Sequence, residues 1–117
     1  MSPELRVIAG KFKGRKLTSS AGDYRPTSAI VKKSLFDILN VDIEDAIFLD
    51  LFAGCGAVGI EAISRGAAFV SFVENDFSRI QILNKNLKSL DISEDFFEII
   101  PSDFTASLSR LAVLGRK

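Results

Sequence analysis

The chain has 117 residues, no net charge at pH 7, 47% hydrophobic and 26% charged residues, one cysteine and no histidine. That length suits one domain with a core of its own. A lone cysteine, Cys55, excludes an internal disulfide, and the lack of histidine leaves little room for triad hydrolysis or zinc chemistry. No apolar run approaches the roughly 18 residues of a membrane span. Met1-Ser2-Pro3-Glu4 does not read as the start of a secretory signal, so a cytoplasmic protein is expected.

Charge is distributed unevenly. Residues 1–33 carry eight basic side chains against Glu4 and Asp23, a balance of +6, while the remainder carries seven against thirteen, a balance of −6. A basic arm on an acidic body fits a polyanionic partner, most simply nucleic acid. A solvated, lysine-rich hairpin fits the same charges.

In chain order, residues 5–8 read as a short strand, and Gly10 and Gly14 punctuate the stretch after it. Lys11-Phe12-Lys13 alternates as a half-exposed strand does, so residues 1–25 are expected to form a basic β-hairpin arm. Pro26-Thr27-Ser28 supplies a helix start, and Val31, Leu35, Ile38 and Leu39 recur at helical spacing. Residues 42–45 read as an acidic linker.

Three α/β units then fill the rest of a 26–117 domain. The strands are expected at 47–51, 69–73 and 96–100. Their helices are expected at 57–65, closed by Gly66, at about 77–89, with Ile80, Leu83, Leu87 and Leu90 on one face, and around Phe104, Leu108 and Leu111. Strands alternating with helices predict a parallel sheet covered on both faces.

The chemistry gathers after the first of these strands, in Asp50-Leu51-Phe52-Ala53-Gly54-Cys55-Gly56-Ala57-Val58-Gly59. Gly54-x-Gly56-x-x-Gly59 matches a dinucleotide fingerprint formally, and Glu74 ends the next apolar run where a ribose-binding acid belongs. A pyrophosphate on this turn would face Asp50, which repels it. S-adenosylmethionine instead carries an ammonium and a sulfonium and no phosphate. Asp50 can attract the ammonium, the turn's backbone N–H groups can meet the carboxylate, and Glu74 can accept from the ribose hydroxyls. After the third strand, Asp103 can accept from the adenine amino group and Phe104 can border the ring. Other readings stand beside these: Asp50 as a strand-end cap, Asp103 as a helix cap, Phe104 as core, and Cys55 as a small residue filling the turn.

Taken together, these residues resemble the bacterial 16S rRNA guanine-N2 methyltransferase D family. The resemblance runs through Leu5-Arg6-Val7-Ile8-Ala9-Gly10-Lys11-Phe12-Lys13-Gly14-Arg15-Lys16-Leu17, through Arg25-Pro26-Thr27 and Val31-Lys32-Lys33-Ser34-Leu35-Phe36, and through Asp50 to Gly59 with Glu61-Ala62 and Ser64-Arg65-Gly66-Ala67. It implies a Rossmann-like class I methyltransferase fold of the α/β class. It also implies methyl transfer from S-adenosylmethionine to the exocyclic N2 of a guanine in 16S rRNA, within the small ribosomal subunit or its assembly intermediate. Phe52 and Ala53 would belong to the cofactor turn. Lys11, Lys13, Arg15 and Lys16 would meet rRNA phosphates, and Arg25 would flank the cleft.

Such enzymes carry an Asp/Asn-Pro-Pro-Tyr/Phe segment after the fourth strand, and this sequence contains none, so no residue is assigned as catalytic. The expectation is therefore the N-terminal, cofactor-binding part of a methyltransferase, with an incomplete parallel sheet. Two alternatives remain at this point: a nucleotide-dependent oxidoreductase using Gly54, Gly56, Gly59 and Glu74, and a noncatalytic remnant that binds RNA or cofactor.

Overall fold

The structure, a computed structural model, describes residues 5–19, 43–51 and 53–102. The helix expected from Pro26 to residue 39, Arg25, Phe52, Asp103, Phe104 and the last expected helix lie outside those residues.

Two short strands, β1 (Leu5–Arg6) and β2 (Lys16–Leu17), pair antiparallel, Leu5 opposite Leu17 and Arg6 opposite Lys16. A parallel sheet comes next, in the order β3 (Ile47–Asp50), β4 (Phe69–Val73), β5 (Phe97–Ile100). Helix α1 (Ala57–Ser64) connects β3 to β4, and α2 (Phe77–Ser89), with a 3₁₀ turn at Glu94–Phe96, connects β4 to β5. Parallel neighbours require such crossovers. Central β4 alternates least in burial, with Val70, Ser71, Phe72 and Val73 all buried, as expected of a strand covered on both faces.

The core forms where the apolar stripes of the helices meet this sheet. Ile60, Val70, Phe72, Leu83 and Leu87 are at most 2% exposed, and Phe97 meets Phe72 edge to face at 6.2 Å between ring centroids. Gly59 permits this packing, because a Cβ there would run into the Phe72 ring. Both helices end in the same six-residue closure. After α1, Ala67 N–H donates to Ala62 O and Gly66 N–H to Ile63 O; after α2, Ile92 N–H donates to Leu87 O and Asp91 N–H to Lys88 O.

One expected element is corrected. Lys11-Phe12-Lys13 is not a strand: residues 11–14 form turns, and the second strand lies at Lys16–Leu17. Gly10 has φ +89°, and a Cβ there would strike the Ser64 carbonyl, so the chain bends sharply where it meets α1. Lys13 N–H then donates to Gly10 O and Arg15 N–H to Phe12 O, which uses locally the groups a strand would present to a neighbour. The charge–aromatic alternation reflects a tight loop with Phe12 half-buried and its lysines outside.

The arm is fastened to α1 by polar bonds. Glu61, fully buried, accepts from Ile8 N–H at 2.9 Å and Ala9 N–H at 3.0 Å, and from Arg65 Nε at 2.9 Å. Ser64 Oγ donates to Ala9 O at 2.6 Å and accepts from Phe12 N–H at 2.9 Å. Glu61→Gln keeps the shape but turns an acceptor into a donor facing a donor. It is expected to cost about 1–3 kcal/mol in urea unfolding and to speed amide exchange at Ile8 and Ala9.

Candidate cofactor site

The site is built at the carboxyl ends of β3 and β4, where open α/β sheets bind ligands. Asp50 ends β3 and is 7% exposed. Its Oδ2 accepts from Gly59 N–H at 3.1 Å, so it caps the first turn of α1 from the strand end. The N-cap residue itself, Gly56, has no side chain for that task. The capping alternative for Asp50 is thus realised in the structure. Asp50 lies opposite Phe72 in the β3–β4 register, and both reach Gly59, one through its N–H and one against its Cα.

Glu74 follows β4 and is also 7% exposed. Its Oε1 accepts from Gly54 N–H at 2.8 Å and its Oε2 from Asp76 N–H at 3.0 Å. One carboxylate therefore ties the glycine turn to the loop that starts α2. Each carboxylate oxygen has two lone pairs, so these bonds leave Glu74 able to accept from a ligand diol as well. Ala53 is buried, and its N–H donates to Val73 O at 3.0 Å, stitching the turn to the end of β4.

The turn glycines do different work. Gly56 has φ +91°, and a Cβ on it would collide with Leu83 of α2. Its bareness serves the packing of α2 against the turn, with no ligand needed to explain it. Gly54, with φ +54°, presents the N–H that Glu74 takes. Cys55 is buried in the turn.

Two residues of this region escape a reading by motif. Asn86 is 1% exposed on the buried stripe of α2. Its Oδ1 accepts from Thr18 N–H at 2.8 Å, and its Nδ2 donates to Thr18 O at 2.9 Å and to Cys55 O at 2.8 Å. It thereby joins arm, helix and glycine turn. The available signal is a polar residue three after Leu83 and four before Leu90, inside an apolar stripe. Phe77, first residue of α2, is 72% exposed, a large apolar surface three residues after Glu74.

Asp76 caps α2, accepting from Ser78 N–H at 2.9 Å and Ser78 Oγ at 2.8 Å. The Ser78 hydroxyl, then its backbone N–H, hold the Asp76 carboxyl below the ordinary aspartate value. Among the described residues no group of histidine, cysteine, aspartate and glutamate is arranged to hold a metal. None of their helices is long and apolar enough to cross a membrane.

The donor set tests which cofactor fits. From Ile43 to Ser64 the sequence has no lysine or arginine, and two nearly buried carboxylates flank the turn. Within that stretch a pyrophosphate finds no counter-charge and two like charges. A ligand with an ammonium, a sulfonium and a diol finds matching acceptors.

Residues 5–115 match the family described as Conserved hypothetical protein 95. The chain belongs to this family. It is 43% identical over 98 residues to ribosomal RNA small subunit methyltransferase D of Haemophilus influenzae, covering 83% of this chain and 51% of that one. With the Escherichia coli K12 protein of the same name it is 44% identical over 90 residues, covering 76% and 46%. The solved structure of Escherichia coli yhhF superposes with a TM-score of 0.79 at 36% identity, over 92% of this chain and 57% of that one. The chain thus spans about half the length of the curated relatives it matches. The family expected from the ordered motifs is borne out, and so is the fold: part of a Rossmann-like class I methyltransferase, with three parallel strands and two crossover helices among the described residues.

Of the expected cofactor residues, the structure gathers Asp50, Ala53, Gly54, Gly56 and Glu74 around one turn, while Phe52, Asp103 and Phe104 lie outside the described residues. Lys11, Lys13, Arg15 and Lys16 are exposed on the arm.

Two outcomes test this geometry. Asn86→Asp keeps the acceptor for Thr18 but removes both donors. It is expected to cost about 2–4 kcal/mol in urea unfolding at pH 7. The deficit should shrink toward pH 5, because burial raises the new carboxyl's pKa and protonation restores a donor. The native Asp76 has the opposite sign. With its folded pKa lowered, its capping contribution is present above the ordinary aspartate value and fades as pH falls through the folded one. A carbon-detected titration should place its midpoint below that of unfolded aspartate, and Ser78→Ala should move it back up.

Proposed function

We propose that this chain is the cofactor-holding part of an S-adenosylmethionine-dependent rRNA methyltransferase that modifies the exocyclic N2 of a guanine in 16S rRNA. The reading rests above all on Asp50 and Glu74, two nearly buried carboxylates at adjacent strand ends, tied into a glycine turn with no basic residue in the flanking stretch. The names of the relatives, ribosomal RNA small subunit methyltransferases, support the substrate class.

When bound, S-adenosylmethionine supplies an activated methyl group on a sulfonium. Asp50 attracts the ammonium while it caps α1. The backbone of Phe52, Ala53, Gly54 and Gly56 encloses the ligand's amino-acid end. Glu74 accepts from the ribose hydroxyls, and the exposed Phe77 ring gives the adenosine an apolar edge. Asp103 and Phe104 take the adenine in this reading. Lys11, Lys13, Arg15 and Lys16 meet phosphates of the rRNA, and Arg25 stands at the cleft. A cytoplasmic protein acting on the small subunit or its assembly intermediate follows from that substrate.

The guanine amino nitrogen is a weak nucleophile, its lone pair delocalised into the ring. The family's Asp/Asn-Pro-Pro-Tyr/Phe segment orients it, and that segment is not in this sequence. The 117-residue chain is therefore expected to bind cofactor and to transfer little or no methyl.

Calorimetry with S-adenosylhomocysteine and with NAD tests the cofactor. Binding of the former alone is expected, weakened about tenfold by Glu74→Gln through loss of a charge-assisted bond. Binding of NAD alone would overturn the assignment in favour of an oxidoreductase. Robust methylation of 30S subunits by this chain would contradict the need for the absent segment.

A further inference from the structure

The outer face of α2 carries an open groove of about 600 Å³ that the cofactor reading leaves unused. Gln81, Asn84, Lys85, Lys88 and Ser89 line it, all exposed. They recur every three or four residues and form the stripe opposite Leu83, Asn86, Leu87 and Leu90. No acidic residue and no large apolar residue is among them, although residues 34–117 carry a balance of −6.

At the C-terminal end of this groove stands the arm. Arg15 Nη2 donates to the Ser89 carbonyl at 3.0 Å, which fixes a guanidinium beside Lys88, and Lys16 follows it on β2. That bond engages one of five guanidinium N–H groups, and the fork is held in place by it. The part of this cluster that helix electrostatics explains is small. Lys88 and Arg15 complement the negative C-terminal end of α2, but Lys85 lies a turn earlier, where that field has faded.

We propose that this open groove, with Arg15 bonded to Ser89 at its C-terminal end, docks the sugar–phosphate backbone of RNA, and so extends the arm's contact surface onto α2. The proposal rests on the reading of the chain as an RNA-modifying protein. Lys85, Lys88, Arg15 and Lys16 neutralise phosphates. Gln81 and Asn84, whose amides both donate and accept, suit 2′-hydroxyls. A folded protein partner would want the aromatic or aliphatic anchors that this face lacks.

The test is fluorescence anisotropy of the full 117-residue chain with a labelled RNA hairpin, across a salt series. Lys85→Glu with Lys88→Glu changes two exposed side chains, and far-UV circular dichroism checks that the fold is kept. Affinity is expected to fall at least tenfold at low salt, and the slope of log K against log salt to lessen by about 1.5–2. If the double variant binds RNA as well as the wild-type chain while Lys11→Ala with Lys13→Ala binds it weakly, the groove proposal is overturned and the RNA reading stands. If the wild-type chain binds no RNA, both are overturned. If polyglutamate competes as effectively as RNA of equal charge, the groove is a site for acidic protein, and the proposal also fails.

Discussion

Glu61 sits with no solvent around its side chain, and a carboxylate there costs several kcal/mol unless its charge is met on every side. It is met by the amides of Ile8 and Ala9 and by the Arg65 guanidinium. The arm is therefore as much a requirement of the helix as the helix is of the arm. Without residues 8 and 9, Glu61 would keep Arg65 but lose two amide donors. Without Glu61, two consecutive amides of the arm would lose their partners. Ser64 repeats the arrangement one turn later, bonding Ala9 O and Phe12 N–H. Residues 7–15, within the +6 segment, are in this respect no free tether, since backbone bonds fix their turns and leave Lys11, Lys13 and Arg15 outside.

The same helix is held at its other end by the residues proposed to meet the cofactor. Asp50 accepts from Gly59 N–H in the first turn of α1, and Glu74 accepts from Gly54 N–H just before it. These carboxylates tie the turn by themselves, and each oxygen can accept more than one bond. If the proposed cofactor binds here, the site is preorganised at little cost, because the structural bonds and the recognition bonds would share the same carboxylates. The glycines divide similarly. Gly59 and Gly56 are bare because Phe72 and Leu83 occupy the space a side chain would need. A fingerprint usually credited to ligand approach is here set in good part by packing.

This division explains what could be read in the chain. Helix α2 matches its expected bounds, and the three parallel strands fall within one residue of theirs, because apolar periodicity is a local signal. Lys11-Phe12-Lys13 misled because three alternating residues carry too little signal to separate a strand from two successive turns. Glu61 and Asn86 were legible only as anomalies, single polar residues within apolar stripes. Apart from Arg65, one turn on from Glu61, their partners lie 52–53 and 31–68 residues away, and no local pattern names them. For Asp50 the pattern held two roles open: the geometry shows the cap, and the proposed ammonium contact would use the same carboxylate.

Electrostatics then partitions the molecule. The edge that carries Asp50 and Glu74 is acidic, which suits the proposed cationic ligand and disfavours a polyanion. A phosphate backbone must approach from elsewhere and bring only its target base to that edge. In the proposed reading the arm and the outer stripe of α2, joined through the Arg15–Ser89 bond, provide such an approach. Asn86 lies on the inner side of the same helix, bonded at once to Thr18 of the arm and to the Cys55 carbonyl of the turn. The basic surface and the cofactor turn are thereby held in one frame by a single buried amide. In the proposed reading, two surfaces of opposite sign must keep a fixed spacing if a backbone held on one is to bring its base to a methyl group held at the other.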